Sequence, residues 1–335
     1  MDQMIVGFLE NLSTLALVFI FALSLVTLSK GADILIDQAV ALSIQWGVPK
    51  LIIGATIVSL GTTLPEATVS VFAALKGNPD LALGNAVGSI IANTGLIIGI
   101  AAILGKLPVD QNAIDRQGKV QFYSGLLLVI VSLPFFSRAV NGVIHQWMGW
   151  ALVLLLIFYI YYSIKWARQA PSEFDKIAVG ASEPVYKQII MLLIGIGIVI
   201  LSSKILIPTV EISAFRVGIP QSVIAATLVA FGTSLPELIT AITAVRKGHG
   251  ELAVGNIIGA DILNVLFVVG LSASVTKGGL LVPVEFYKLQ FPTMMIILAA
   301  FRIFAKSKDH VISTKEGIFL AGIYVIYIIL NYTWI

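Results

Sequence analysis

The sequence contains no cysteine, so it offers no disulfide framework, no thiol nucleophile and no cysteine-ligated metal site. Charge is also scarce, because only 12% of the residues are charged where a soluble domain carries roughly a quarter. In contrast, 58% of the 335 residues are apolar, and the mean hydropathy is +0.98. The 21 basic and 18 acidic side chains cannot cover the surface of a water-soluble protein of this composition. A soluble enzyme and a disordered chain are therefore excluded, and lipid is the solvent for much of the chain.

The sequence also lacks a strong net charge and a nucleotide-binding motif, and each absence bears on the partners of the protein. The formal net charge is only +3, a balance that membrane-orienting lysines and arginines explain, so no nucleic-acid partner is expected. No segment matches the phosphate-binding pattern G-x-x-x-x-G-K-[ST], so no nucleotide is expected to drive the protein. We also expect no cofactor and a monomeric functional unit.

Ten apolar stretches are long enough to cross a bilayer as helices, which takes about 17–25 residues each. They cover residues 11–29 (continuing toward 45), 50–75, 81–105, 119–137, 144–166, 188–207, 220–245, 251–275, 283–304 and 314–334. Loops on one side hold 15 of the Lys and Arg residues, and loops on the other side hold 6. The positive-inside rule then places both termini outside the cell. The sequence predicts an all-α, multi-pass protein of the cell membrane with ten transmembrane helices.

An internal repeat organises the chain. Residues 54–102 align without gaps with residues 225–273, and this repeat alignment has 20 identities in 49 positions. We therefore divide the chain into a first five-helix half at 1–168, a cytoplasmic linker at 169–187 and a second five-helix half at 188–335. Because five is odd, the second half enters the membrane from the opposite side, and the repeats are inverted. Inverted repeats are a recurring plan of secondary transporters, whose substrate site lies at the midplane where the repeats meet.

The most similar parts of the repeats are GTTLPE at 61–66 and GTSLPE at 232–237. A proline within an apolar helix removes a backbone donor and frees a carbonyl one turn earlier, so each helix should break there. The freed carbonyls must face protein, water or an ion rather than lipid. Glu66 and Glu237 follow the two prolines directly, and an ionisable side chain in mid-membrane costs a few kcal/mol. We interpret this duplicated pair as the functional carboxylates.

Two neighbouring motifs add amide oxygens to the carboxylates. LALGNAVGSIIAN at 81–93 and LAVGNIIGADILN at 252–264 end at Asn93 and Asn264, and their glycines permit close helix contact. Carboxylates, amides, hydroxyls and carbonyls make an all-oxygen site, which suits hard cations such as Ca²⁺ and Na⁺. Two glutamates can neutralise one Ca²⁺ or two Na⁺. Competition for the same carboxylates would then provide the minimum requirement for exchange.

These motifs resemble those of the cation/calcium exchanger superfamily, in particular its sodium/calcium exchanger branch of prokaryotic type. Its two repeats carry G-T-S-[LVI]-P-[ED] followed by G-N-x-x-G-S-N-x-x-N. The resemblance implies an antiporter that moves Ca²⁺ against Na⁺ by alternating access. It further implies a set of cation ligands drawn from both halves: Glu66, Glu237, Thr62, Thr233, Asn93, Asn264, Ser59, Ser89 and Ala230. Thr62 and Thr233 would contribute backbone oxygens.

The sequence departs from the family pattern at two adjacent positions. Ala260 stands where the family has serine, so one hydroxyl ligand is missing, which bears on the sodium stoichiometry. Asp261 stands where asparagine is usual, and it shares a helix face with Asn264. We count Asp261 among the candidate metal ligands, with an access-path or charge-tuning role as the alternatives.

Three other functions share part of this pattern. A proton/calcium exchanger, or a carrier of another divalent cation, would use the same glutamate pair and is the main alternative. An intramembrane aspartyl protease normally needs a G-x-G-D aspartate and a second aspartate, whereas the symmetric acids here are glutamates. A passive cation channel would show no coupling to a counter-ion. We predict a transporter rather than an enzyme, with the long first segment and its counterpart near 188–216 as the moving element.

Overall fold

The computed structural model describes residues 2–134, 141–169, 184–216, 232–307 and 309–333. Within these ranges the chain is almost entirely helical. The helices are α1 (Asp2–Glu10), α2 (Thr14–Trp46), α3 (Lys50–Thr62), α4 (Leu64–Leu75), α5 (Pro79–Leu104), α6 (Gln111–Ser132), α7 (Gln146–Gln169), α8 (Val185–Arg216), α9 (Leu235–Arg246), α10 (Gly250–Val275), α11 (Phe286–Ala305) and α12 (Thr314–Thr333).

Two short antiparallel ladders connect loops that are distant in sequence. The strands are β1 (Leu107–Pro108), β2 (Gly142–Ile144), β3 (Leu280–Val282) and β4 (Val311–Ile312). β1 pairs with β4, and β2 pairs with β3 with Val143 opposite Leu281. The sequence interpretation contained no strands, because segments of two or three residues leave no periodic signal.

The structure supports an all-helical membrane protein, although with fewer clear spans than predicted. In the described ranges seven helices are long and apolar enough to cross a bilayer, or eight if the bent pair α3 and α4 forms one span. The fourth predicted segment, 119–137, falls on α6 and on undescribed residues, and α6 is not among the seven. The seventh predicted segment, 220–245, lies partly outside the described residues. The all-helical prediction is therefore confirmed, and the count of ten stays a prediction.

Helices α5 and α10 form the centre of the molecule. Nearly all of α10 is buried, and it packs against α3, α6 and α9. By contrast, α2 and α8 lie along each other at the side of this core. They share a small apolar cluster of their own, separate from the main core: Leu28, Ala32, Val199 and Leu206. The pair thus has an apolar contact of its own, and the C-terminal half of α2 also packs into the main core through Leu35, Ile36, Ala39 and Leu42.

The crossing of α3 and α10 depends on two glycines within the repeat alignment, Gly54 and Gly255. A Cβ atom at Gly54 would lie 2.5 Å from the carbonyl oxygen of Leu252. A Cβ atom at Gly255 would collide with the backbone of Leu51. Small residues let helix backbones approach closely in membranes, so these two positions set the distance between the two helices.

Gly255→Ala should lower the thermal stability of the purified protein, because the added methyl group meets backbone rather than a flexible side chain. Overpacking of this kind costs about 1–3 kcal/mol. Gly322→Ala in α12 is the matched control, since nothing lies within 4 Å of its added Cβ. Thermal unfolding in detergent should show a lower midpoint for Gly255→Ala alone. Equal midpoints for the two variants would contradict the close crossing.

Candidate cation site

Helix breaks position the two glutamates. α3 ends at Thr62, and α4 begins at Leu64 after a bend of 46°. Pro65 lies at the start of α4 and places Glu66 in its first turn. α9 begins in the same way, with Pro236 and Glu237 in its first turn. The predicted break is confirmed in the first repeat. In the second repeat the start of α9 matches it, while Ala230 lies outside the described residues.

The carboxyl groups of Glu66 and Glu237 are fully buried and close enough to interact electrostatically. Glu66 Oε1 accepts a long hydrogen bond of 3.4 Å from Ser234 Oγ. In the part of the chain that the structure describes, Glu66 Oε2 and both oxygens of Glu237 have no hydrogen-bond partner. The hydroxyls of Thr62 and Thr63 lie beside Glu237 without forming a hydrogen bond of normal geometry to it. Buried charge without a partner is costly, so these three oxygens are suited to a positively charged ligand.

The two asparagines at the ends of the repeat motifs lie at local distortions of their helices. α5 contains a π-helical stretch at Ala92–Ile97, and α10 contains one at Asn264–Val269. Such π-turns occur frequently at functional sites. Asn93 Oδ1 and both polar side-chain atoms of Asn264 are buried, with no hydrogen-bond partner among the described residues. The structure thus gives the predicted pair, Asn93 and Asn264, matching positions and unused oxygens.

A second asparagine pair, which the sequence reasoning did not select, joins the two halves. Thr233 Oγ1 donates to Asn85 Oδ1 over 3.0 Å, and Thr62 Oγ1 donates to Asn256 Oδ1 over 3.3 Å. Asn85 and Asn256 occupy corresponding positions in the repeat alignment. Both repeats have asparagine at this position, and this identity was the sequence signal that could have revealed the pair. Each threonine hydroxyl donates across the repeat boundary, so each bond links one helix break to the central helix of the other half.

The predicted serine ligands lie beside the same helix crossings. Ser59 is buried, donates to the carbonyl oxygen of Thr56 over 3.2 Å, and sits against Gly259 of α10. Ser89 is buried, and its Oγ lies 3.2 Å from Ser234 Oγ, within hydrogen-bond distance. Because Ser234 also contacts Glu66, Ser89 is linked to the carboxylate of its own half.

Ala260 breaks this arrangement in the other half. In the repeat alignment Ala260 corresponds to Ser89, and Thr63 corresponds to Ser234. Ser234 finds a hydroxyl partner in Ser89, but the methyl group of Ala260 offers none to Thr63. Thr63 Oγ1 is indeed buried without a hydrogen-bond partner in the described structure. The missing serine therefore leaves one unused hydroxyl near the second glutamate.

Asp261 lies in a polar cluster next to Asn93. Its oxygens accept hydrogen bonds from Asn93 Nδ2 at 3.3 Å, Thr94 Oγ1 at 2.5 Å and Gln121 Nε2 at 2.8 Å. Unlike Glu66 and Glu237, Asp261 thus has partners for both carboxylate oxygens. Sequence reasoning missed Thr94 and Gln121, and neither residue belongs to a repeated motif that would have marked it.

The chemistry of the site is all-oxygen. No group of three or more His, Cys, Asp or Glu side chains with metal-site spacing occurs within the described ranges. Two carboxylates, two amides and several hydroxyls remain, and this donor set favours hard cations over zinc or copper. A buried oxygen-lined site at helix breaks, inside a bundle of membrane-spanning helices, is typical of membrane cation transporters.

Comparisons with known proteins identify the family. The family model described as sodium/calcium exchanger protein matches residues 16–165 and 187–333. The inner membrane protein YrbG of Escherichia coli is 32% identical over 309 residues, which cover 90% of this chain and 92% of that protein. The sodium/calcium exchanger MaX1 of Methanosarcina acetivorans is 29% identical over 355 residues, covering 92% and 97%.

A solved structure agrees with this assignment. The sodium-calcium exchanger NCX_Mj, soaked with 100 mM Na⁺ and 10 mM Sr²⁺, superposes with a TM-score of 0.79 at 28% identity. The match covers 94% of this chain and 98% of that one. The chain belongs to the sodium/calcium exchanger protein family. It is a cation/Ca²⁺ antiporter of a transporter family, and the resemblance based on the repeat motifs is confirmed.

Proposed function

We propose that this protein exchanges Na⁺ for Ca²⁺ across the cell membrane, with Glu66 and Glu237 as the shared carboxylates. The observation that carries the proposal is the set of three buried glutamate oxygens with no hydrogen-bond partner in the described structure. Two such carboxylates balance one Ca²⁺ or two Na⁺. Full binding of one ion type therefore excludes full binding of the other, and this exclusion couples the two fluxes.

Further oxygens complete the proposed site. The side chains of Asn93 and Asn264 supply amide oxygens, since Asn93 Oδ1 and Asn264 Oδ1 are buried and unpartnered among the described residues. Ser59 is buried against Gly259 of α10, and Ser89 is buried beside Ser234, which contacts Glu66. The backbone oxygens of Thr62, Thr233 and Ala230 complete the set that we propose for Ca²⁺ and Na⁺. Asp261 belongs to the site as well, through its hydrogen bond to the ligand Asn93.

The proposed architecture has ten transmembrane helices in two inverted halves, 1–168 and 188–335, joined by the linker at 169–187. The internal repeat and the matching helix starts at Glu66 and Glu237 support it. The basic excess on one side supports extracellular termini. We propose the single chain as the functional unit.

Alternating access requires a moving part, and we propose the pair α2 and α8 for that part. This pair has its own apolar cluster and lies at the side of the core. An ionic contact ties it to the core at one end, where Lys247 Nζ, just after α9, lies 2.7 Å from Asp37 Oδ1 and 3.4 Å from Asp33 Oδ1. Both aspartates lie on α2, so this contact must loosen when the pair slides.

Ala260→Ser should increase the sodium affinity of transport. The added hydroxyl gives Thr63 a partner and adds the oxygen that the family pattern has at this position. One hydrogen bond contributes about 0.5–1.5 kcal/mol, so the Na⁺ concentration for half-maximal transport should fall about two- to tenfold. Ser89→Ala, which removes the corresponding hydroxyl from the other half, should raise that concentration. Unchanged sodium dependence in both variants would remove these hydroxyls from the sodium sites.

Proton/calcium exchange is the alternative, because protons can also neutralise the unpartnered carboxylates. The two functions separate in proteoliposomes that contain the purified protein and are loaded with ⁴⁵Ca²⁺. An imposed Na⁺ gradient at equal pH should drive Ca²⁺ release. Release driven only by a pH gradient, with no response to Na⁺, would contradict sodium coupling and favour the alternative.

A further inference from the structure

A polar cluster adjoins one half of the site and has no counterpart in the other half. Asp261 of α10 meets Asn93 and Thr94 of α5 and Gln121 of α6, and all four side chains are buried. In the repeat alignment Asp261 and Thr94 correspond to Ile90 and Val265, whose side chains form no hydrogen bonds, and Gln121 lies outside the aligned segments. Asn93 therefore has a charged neighbour that its repeat mate, Asn264, lacks.

The hydrogen bonds determine which way the amide of Asn93 points. A carboxylate only accepts hydrogen bonds, so the side of Asn93 that faces Asp261 must be the Nδ2 amino group. Thr94 and Gln121 also direct donors at the same carboxyl group, which acts as an acceptor toward all three neighbours. The opposite side of the amide is then Oδ1, which is buried with no hydrogen-bond partner in the described structure.

We propose that Asp261 is a positioning residue, which fixes the amide of Asn93 so that its oxygen rather than its amino group faces the transported cation. The inference rests on the proposed function, because it gives Asn93 the role of a cation ligand. An amino group turned toward a cation would repel it, so a fixed amide spares the site from reorienting at each binding event. Hydrogen-bond partners of metal ligands act in this way in other proteins.

The two halves then differ in how they hold their amides. In the first half Asp261 locks Asn93 in its binding orientation. In the second half both Nδ2 and Oδ1 of Asn264 are without hydrogen-bond partners in the described structure. The cation itself must therefore select the orientation of Asn264. Asp261 thus makes the two amides unequal although the glutamates occupy symmetric positions.

Asp261→Asn tests the orienting role with little change in size. An asparagine at this position can both donate and accept, so Asn93 can form a hydrogen bond to it in either orientation of its amide. The Asn93 oxygen is then no longer fixed toward the cation. Loss of such a partner typically weakens metal binding about 10- to 100-fold. Equilibrium binding of ⁴⁵Ca²⁺ and ²²Na⁺ to the purified protein measures the effect. A dissociation constant equal to that of the wild type for both ions would overturn the proposal.

A charge swap separates orientation from a merely structural role. Asn93→Asp alone places a carboxylate against Asp261 and should weaken binding, because two acceptors then face each other. In the double variant Asn93→Asp/Asp261→Asn, the introduced asparagine donates its amino group to the introduced carboxylate, and an oxygen again faces the cation. The double variant should bind Ca²⁺ more tightly than either single variant. Binding as weak as in the weaker single variant would overturn the proposal.

Thr94→Val is the matched control. It removes another hydrogen bond to Asp261, leaves the Asn93 contact intact, and introduces the residue type found at the corresponding position, Val265. It should bind Ca²⁺ within a few-fold of the wild type, and a loss as large as that of Asp261→Asn would contradict orientation through Asn93. If the wild type binds Ca²⁺ but shows no Na⁺-driven flux, the proposed sodium coupling is wrong. The role of Asp261 is still decided in that case, by comparing the Ca²⁺ dissociation constants of the wild type and the variants. Thermal unfolding of each variant identifies any loss that comes from misfolding.

Discussion

Glu237→Gln should bind Ca²⁺ at least about 100-fold more weakly than the wild type. Both oxygens of Glu237 are buried and have no hydrogen-bond partner in the described structure, so nothing there besides a bound cation compensates its charge. Removing one partner of a buried charge pair costs about 3–5 kcal/mol, and each 1.4 kcal/mol is about a tenfold change in affinity. Glutamine keeps the size of the side chain and one of its oxygens. Equilibrium binding of ⁴⁵Ca²⁺ to the purified variant measures the loss.

Two comparisons make this experiment specific. Glu66→Gln should show a loss of similar size, because Glu66 is the repeat mate of Glu237 and is equally buried. Glu285→Gln removes an exposed glutamate outside the site and should bind Ca²⁺ as the wild type does. Wild-type affinity in either buried variant would mean that the two glutamates are not the shared carboxylates.

Crosslinking the α2/α8 pair to the core should stop transport completely while Ca²⁺ binding continues. Lys247 and Asp37 lie in contact across this boundary, so cysteines at the two positions can be joined by a short reducible bifunctional thiol reagent. Because the chain has no cysteine of its own, the introduced pair supplies the only thiols. A locked pair cannot slide, and Na⁺-driven ⁴⁵Ca²⁺ flux should fall to the level of protein-free liposomes.

Single-cysteine variants and reduction of the crosslink are the controls for this experiment. Each single-cysteine variant treated with the reagent should retain flux, and reduction of the crosslinked variant should restore it. Binding of ⁴⁵Ca²⁺ to the crosslinked protein should remain, since the site lies within the core. Full flux through a completely crosslinked protein would exclude α2 and α8 as the moving part.

The features that the sequence predicted well are local ones. A proline after a short polar motif breaks a helix whatever surrounds it, and the structure has the break at Thr63 with Glu66 in the following turn. The duplicated motif also revealed the family, because two copies of such a pattern at a constant offset do not arise by chance. The choice of the two glutamates as candidate carboxylates, which stays a prediction, used only these local rules and the cost of burying charge.

The features that the sequence did not predict depend on packing between distant residues. Gln121 and Asp261 are 140 residues apart, and their hydrogen bond exists only because α6 packs against α10. The bonds from Thr62 to Asn256 and from Thr233 to Asn85 likewise cross from one half to the other. Propensity and periodicity describe single segments, so they carry no information on such pairs.

Asp261 shows how the two kinds of information combine. Its departure from the family pattern was visible in the sequence and suggested a replacement ligand for the serine missing at Ala260. In the structure its oxygens accept hydrogen bonds from Asn93, Thr94 and Gln121, and the unused hydroxyl belongs to Thr63, the repeat counterpart of Ser234. A hydrogen-bonded carboxylate and an unpaired hydroxyl are different chemical situations, and only the three-dimensional structure distinguishes them.

Competition between the two ions at equilibrium tests the shared site most directly. Purified protein with bound ⁴⁵Ca²⁺ is titrated with Na⁺ at constant pH and ionic strength, with choline chloride as the replacement salt. Saturating Na⁺ should displace all of the Ca²⁺, and the displacement should rise more steeply than first order because at least two Na⁺ replace one Ca²⁺. Calcium that stays bound at saturating Na⁺, and leaves only when the pH is lowered, would contradict a carboxylate pair shared by Na⁺ and Ca²⁺.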